Sequence, residues 1–446
     1  MSAALLLLRR SGTSSGLLAI LAFAASGASL STVLGGIRAF SERAGGSDGF
    51  AGPRGPSIDG QLAPLLLVFA LIAGVLLVPS AASLGASAAR LSLSRRERDL
   101  AKVRLVGGTT AQVVGIALLD VLVQGAIGTV VGIIVHLGAA PLLTALDFGV
   151  RRFSVSELLL PWWAYPLLVA GVLLLAVTSA VLGLIGIAIT PLGVSRGSRR
   201  VRVSLVRLLL WGAILVAFVV VSQVNFPDKG LAIAIMVVLM GLVLAGLNLI
   251  GPLVVWLTAR AVAALAPSAA LLVGARRLAV DPRAGWRSVS GISFGLVAAG
   301  MLTLISVFAR TSRDPVEMAL GNAMMTGGYL TLGIAALLAA VSTGVTQAAR
   351  VLDQAGTYRA QHVGGAEIGQ LHRARIAEVA IPTILSSIIA TVTVLVLLIP
   401  AASAATASWA PLLLYIVATL AAYALVVAAV AASGPLVGRA ARGELR

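Results

Sequence analysis

Long apolar runs, each closed by a polar or glycine-rich break, follow one another along almost the whole chain. A helix needs about 20 apolar residues to cross roughly 30 Å of hydrocarbon. Ten runs meet that length, at about 17–38, 65–90, 111–137, 164–190, 205–224, 231–257, 288–309, 325–348, 377–399 and 410–432. The pattern predicts an all-α polytopic membrane protein. Residues 1–16 read as an interfacial segment, with Leu5 to Leu8 in the bilayer edge and Arg9-Arg10 among headgroups. Because many spans follow, the run after Arg9-Arg10 is expected to be a retained first helix, not a cleaved signal.

One polar stretch breaks the pattern more sharply than any other. Residues 92–112 read SLSRRERDLAKVRLVGGTTAQ. Leu93, Leu100, Val103 and Val106 recur near helical spacing, and Arg95–Asp99 and Asp99–Lys102 become surface neighbours. Gly107-Gly108 suits a helix stop. Thr109 with Gln112 three residues on is a capping-box pattern for the next helix. The expectation is a short amphipathic helix, a break, and a fresh start into an apolar run.

A weaker double of this stretch lies at 350–369, RVLDQAGTYRAQHVGGAEIG. Aligning Gly107-Gly108 with Gly364-Gly365 sets Val106 over Val363 and Lys102 over Arg359. Each copy follows one span and opens another, with an acid inside the next span: Asp120 in one, Glu378 in the other, one residue out of register. An Arg-Arg pair, Arg9-Arg10 or Arg276-Arg277, precedes the first span of each half. The predicted organisation is an N-terminal segment 1–16, a first four-span domain 17–190, two linking spans in 191–257, and a second four-span domain 258–446. The two halves run in the same direction, as a parallel repeat.

Composition and charge agree with this layout. Hydrophobic residues make up 59% and charged residues 11%, and mean hydropathy is +1.04, against roughly a quarter charged in ordinary globular domains. The net charge of +17 is explained by residues flanking spans and needs no nucleic acid. With the N-terminus inside, 25 of the 33 Lys and Arg fall on the cytoplasmic side. The outside keeps Arg38, Arg43, Arg54, Arg151, Arg152, Lys229, Arg310 and Arg313. This asymmetry places both termini in the cytoplasm of a plasma-membrane protein. With no Cys, and His136, His362 and His372 far apart in sequence, no metal site is expected. The outer loops are too short for a folded extracytoplasmic domain, which would want about 50 residues or more. Pro161-Trp162-Trp163 and Tyr165 read as interfacial anchors, as do Trp211, Trp256, Trp286 and Trp409.

The stretch from Arg95 to Gly132 resembles the FtsX-like (MacB-like) permease domain of ABC transporters. The residues that carry the resemblance are Arg95, Arg96 and Glu97; Val103 to Thr109, with Arg104, Gly107 and Gly108; then Gln112, Asp120, Gly125, Gly128 and Gly132. The ten-span layout is similar to the permeases of antimicrobial-peptide exporters, without their large extracytoplasmic domain. The resemblance implies a permease that is not itself an enzyme. ATP and Mg would be bound by a separate cytoplasmic ABC ATPase, two copies per permease, whose closure rocks one half against the other. The chain has no G-x-x-x-x-G-K-[ST] phosphate loop, and its two lysines, Lys102 and Lys229, sit in no such motif.

On this reading the first coupling helix uses Arg95, Arg96, Glu97, Leu100, Val103, Arg104, Gly107 and Gly108. The second, weaker one uses Asp353, Thr357, Arg359, His362, Gly364 and Gly365. As plain solvated charges these residues would need no partner. Asp120, Gln124, Asn248 and Glu378 are polar positions inside spans, which are costly to leave facing lipid. Asp120 is either functional or anchored to an Arg such as Arg9 or Arg276; Gln124 and Asn248 suit interhelical hydrogen bonds. The expected activity is extrusion of an amphiphilic substrate (antibiotic, antimicrobial peptide or lipid) from the membrane. A mechanical transmitter acting on an extracytoplasmic cell-wall enzyme or sensor, and an ion-coupled secondary transporter, are the alternatives.

Overall fold

The structure, a computed structural model, describes residues 13–45, 51–52, 55–56, 58–105, 109–188, 205–224, 229–283, 314–397 and 410–444, and most positions between 285 and 300. The chain is all-α apart from a two-residue antiparallel pairing of Ala51–Gly52 with Gly55–Pro56. Eight helices among the described residues are long and apolar enough to cross a membrane, and the helix Val206–Ser222 is a shorter apolar one. The remaining sequence-derived span, 288–309, lies largely outside the described residues. The chain divides into two compact units: the chain to Ser195 with Gly344–Ala355, and Arg196–Thr343 with Gly356–Glu444.

The first unit contains α1 (Thr13–Gly45), α2 (Ile58–Leu105), α3 (Thr110–Leu143), the single turn α4 (Val155–Leu158) and α5 (Ala164–Ala188). Helix α1 is its hub and packs along both α2 and α3. Small residues allow this. A Cβ at Gly128 would lie 2.5 Å from Phe23 Cβ and 2.7 Å from the Ile20 carbonyl oxygen, and one at Gly132 would lie 2.7 Å from the Ala28 amide. The glycines thus bring the two backbones into direct contact, the small-residue packing that lipid solvent favours. Ser26 Oγ donates to the Ala81 carbonyl at 2.7 Å, tying α1 to α2. The outward faces are apolar: Ile134 is 60% exposed and Leu174 69%. Ser26, Ser31 and Thr129 are buried. Polar groups inside and aliphatic groups outside is the arrangement expected when the solvent is hydrocarbon.

The second unit contains α6 (Leu205–Ser222), α7 (Lys229–Leu265), α8 (Ala269–Val280), helical residues between 282 and 300, most of α9 (Pro315–Asp353), α10 (Ala355–Val363), α11 (Ile368–Leu397), α12 (Ala410–Ala432) and α13 (Gly434–Ala441). Helices α6 and α7, read from sequence as a linking pair, pack within this unit. Helix α8 lies between α7 and α11. At Gly274 it approaches so closely that a Cβ would sit 2.6 Å from the Ala374 carbonyl oxygen. Trp286 corrects an expectation: it is not an interfacial anchor but is 1% exposed. It packs on Gly251, and its Nε1 donates to Asn248 Oδ1 at 3.1 Å. A buried indole needs an acceptor for its N–H, and Asn248 on α7 supplies it.

Candidate coupling segments and intramembrane polar sites

The stretch expected to be a separate short helix is the C-terminal part of α2, which runs 48 residues from Ile58 to Leu105 without interruption. At 1.5 Å per residue this is about 72 Å, more than twice the hydrocarbon thickness. The reason is local: between Ala86 and Leu105 there is no Gly or Pro, and Arg, Leu, Glu and Lys are good helix formers. Arg95, Arg96, Glu97, Leu100, Val103 and Arg104 all lie on this helix; Gly107 and Gly108 lie outside the described residues. The chain resumes with Thr109 in extended conformation as the N-cap of α3. The Gln112 amide donates to Thr109 Oγ1 at 3.3 Å, and the Thr109 amide donates to Gln112 Oε1 at 3.0 Å. This is the reciprocal capping box expected from sequence.

The second segment is built differently. Helix α9 ends at Asp353, and α10 begins at Ala355 after a turn at Gln354. Thr357, Arg359 and His362 lie on α10, and Asp353, Thr357 and Arg359 are exposed. Gly365 adopts φ +96°. Around it the Ala366 amide donates to the Gln361 carbonyl at 2.9 Å and the Gly365 amide to that of His362 at 3.0 Å. That pair is a Schellman stop, with Gly365 at the left-handed position. His362 Nδ1 also lies 2.9 Å from the Ala366 carbonyl oxygen. One residue of α10 that sequence reading passed over is buried: Tyr358, at 2% exposure. Its hydroxyl accepts from Arg277 Nη1 at 3.4 Å, and the same guanidinium sits 5.7 Å from the ring centroid. Tyr358 therefore ties α10 to α8, just before the first span of that half.

Asp120 is 4% exposed. Its Oδ2 accepts from Ser92 Oγ at 3.2 Å and from Gln124 Nε2 at 2.9 Å. The first bond crosses from α2 to α3, so the base of the charged helix end is fastened to the next span through a buried carboxylate. Arg9, expected as a possible anchor for Asp120, lies outside the described residues. Glu378 lies on α11 one turn past Arg375, in electrostatic range of it. Asp120 and Glu378 thus both sit in the span that follows a candidate coupling segment, each in its own unit.

Three polar clusters carried no sequence signal strong enough to single them out. In the first unit, buried His136 pairs through Nδ1 with Thr32 Oγ1 at 3.1 Å, joining α3 to α1. At the other end of α1 from Thr13, the Arg43 guanidinium lies 3.7 Å over the Phe153 ring. It donates to the Arg151 carbonyl at 2.7 Å and pairs with Glu157 Oε2 at 2.8 Å. Phe40, Phe148 and Phe153 stack edge to face at 5.0–5.7 Å, and Arg38 donates to the Leu159 carbonyl. Burial pushes the Glu157 carboxyl up. The Ser154 amide, the Arg43 hydrogen bond and the charges of Arg43 and Arg151 outweigh it, and hold the group below its ordinary value. Beyond this cap Trp162 and Trp163 are exposed. In the second unit, Arg375 is buried on α11 and bonds Ser433. Its place in the buried series Leu371, Ala374, Arg375, Val379 was the available signal. Among the described residues no group of acidic, His or Cys side chains is placed to hold a metal ion.

Comparison with protein families finds a match: residues 63–192 fit the FtsX-like permease C-terminal model. The matched region holds most of α2 with its Arg95–Arg104 segment, α3 with Asp120 and Gln124, and all of α4 and α5. Neither the curated proteins nor the solved structures contain a match to this chain.

Proposed function

From a chain that carries an FtsX-like permease domain over residues 63–192, we propose an ABC exporter subunit that turns ATP hydrolysis in a separate cytoplasmic ATPase into extrusion of an amphiphilic molecule. The observation that carries this reading is the unbroken α2. It crosses the membrane and continues as an Arg- and Glu-bearing helix end within the matched domain. Such an end suits a groove on an ATPase, with Arg95, Arg96, Glu97 and Arg104 setting register by charge and Leu100 and Val103 packing. Ser92 and Asp120 then pass displacement of this end to α3. ATP and Mg belong to the ATPase, and this chain binds, moves and releases.

The second contact uses α10, with Arg359 and Thr357 exposed and Tyr358 turned inward. Two unlike contacts in one polypeptide support one permease chain per two ATPase copies, with both termini on the ATPase side. The substrate reading, an amphiphilic antibiotic, peptide or lipid taken laterally from the bilayer, rests on the small outer loops and apolar span faces.

Co-expression and co-purification with a cytoplasmic ABC ATPase tests the coupling assignment. Glu97→Arg and Leu100→Asp should each abolish ATPase recovery while the chain still reaches the membrane. Retained binding by both variants refutes it. Native mass measurement should give one permease to two ATPase copies, and two permease chains per complex would contradict the stoichiometry.

A further inference from the structure

Where α8, α10, α11 and α13 come together, the second unit buries a cation that it does not satisfy. Arg375 lies in the third turn of α11 and is 1% exposed. Its Nη2 donates to Ser433 Oγ at 2.6 Å, and that hydroxyl donates to the Val430 carbonyl at 2.7 Å. Nε and Nη1 are also buried, and neither has a hydrogen-bond partner. His372, one turn earlier, has a buried Nδ1 without a partner. Arg277 brings a second guanidinium from α8, beside Tyr358. Glu378 is the carboxylate in electrostatic range of Arg375, and it has interactions of its own.

A guanidinium stays charged at any accessible pH, so it cannot relieve burial by losing its proton. Open N–H donors on a buried cation are costly until an acceptor arrives. Phosphate oxygens are strong partners for arginine, through charge-assisted hydrogen bonds. Arg375 also lies within the candidate span Ile368–Leu397, and Ser433 within Leu413–Ala441, close to where both give way to Arg-bearing polar segments. That is headgroup depth, where basic clusters attract anionic lipid.

We propose that Arg375, Arg277 and His372 form a phosphate-binding site for the headgroup of an anionic phospholipid. In the state seen here α13 closes it: a Cβ at Gly434 would be 3.1 Å from the His372 ring. Helix α13 is only eight residues long, and the Arg375–Ser433 bond ties its start to α11. An incoming phosphate replaces that bond and lets α13 shift.

The test titrates the full chain, in mild detergent, with phosphatidylglycerol, phosphatidylcholine or inorganic phosphate, counting bound molecules by native mass spectrometry. Wild type should hold one phosphatidylglycerol about tenfold or more tighter than phosphatidylcholine, the equivalent of one charged hydrogen bond. Arg375→Gln should abolish the preference and Arg375→Lys reduce it. If the two lipids bind alike while inorganic phosphate binds only with Arg375 present, the site stands with a soluble source. If neither phosphatidylglycerol nor inorganic phosphate depends on Arg375, the proposal fails. Thermal unfolding in phosphatidylcholine separates misfolding from lost binding. Without anion, Arg375→Gln should unfold no earlier than wild type, because it removes a buried charge with two open N–H-bearing nitrogens. Earlier unfolding with unchanged phosphatidylglycerol retention would make Arg375 structural and overturn the site.

Discussion

Helix α2 carries its charged end out of its span without a break, whereas α9 stops at Asp353 and hands over to the separate helix α10. The two segments share a place in the chain and a Gly-Gly pair, and under the proposed coupling they would pass force by different means. From Ala86 to Leu105, beyond Pro79, α2 has no Gly or Pro and forms one stiff stretch, and its base is pinned to α3 through Ser92 and Asp120. A nine-residue helix between a turn and a Schellman stop can move only as its side-chain anchor allows, and that anchor is Tyr358 on Arg277. The same sequence pattern therefore yields a stiff link in one half and a jointed link in the other.

The strongest way to break the contrast is to put a joint into the rod. Ser94→Pro removes an interior helix hydrogen bond from α2 and should cost about 3 kcal/mol locally. ATPase activity of the complex should then lose its dependence on the permease. The matched change Ala355→Pro, at the first position of α10 where proline is tolerated, should leave that dependence near wild type. Equal effects of the two would mean that continuity of α2 is irrelevant.

Next in size is Gly365→Ala. At φ +96° a side chain costs about 1–2 kcal/mol, which should loosen the stop after α10. Faster hydrogen exchange at 361–367, with exchange at 95–105 unchanged, is the expected result. Tyr358→Phe comes third: it keeps the ring but loses the hydroxyl, about 1 kcal/mol. It should weaken ATPase recovery less than Glu97→Arg does, and a loss as large would make the second contact the dominant one.

The smallest effect concerns the cap around Arg43 and Glu157. Since the folded state holds the Glu157 carboxyl below its ordinary value, this pair's contribution is fully present above the unfolded carboxylate pKa, about 4.3. It is lost as pH falls through the lower, folded value. Exchange at 151–158 should rise only in that acidic range, and Glu157→Gln should flatten the dependence.

Much of the architecture was legible because bilayer solvent imposes length and small-residue rules on the chain. Apolar runs located the eight long apolar helices among the described residues, and Thr109 with Gln112 announced the start of α3. What remained hidden depends on continuity and on partners distant in sequence. An amphipathic run after a span reads equally as a new helix or as more of the old one, so α2 looked like two elements. Trp286 near a span end resembles an anchor until Asn248, on another helix, is seen to accept its N–H. Arg375 counted among loop charges, although its spacing with Leu371 and Val379 points it inward. Tyr358 lay inside the second coupling motif but carried no charge to draw notice.

The glycine contacts between α1 and α3 have a consequence for how any displacement spreads. Where side chains interdigitate, two helices can slip by exchanging rotamers. Where Gly128 and Gly132 set backbone against backbone, no rotamers remain to exchange. The pair is in effect keyed together, so a pull on α3 through Asp120 must bring α1 with it.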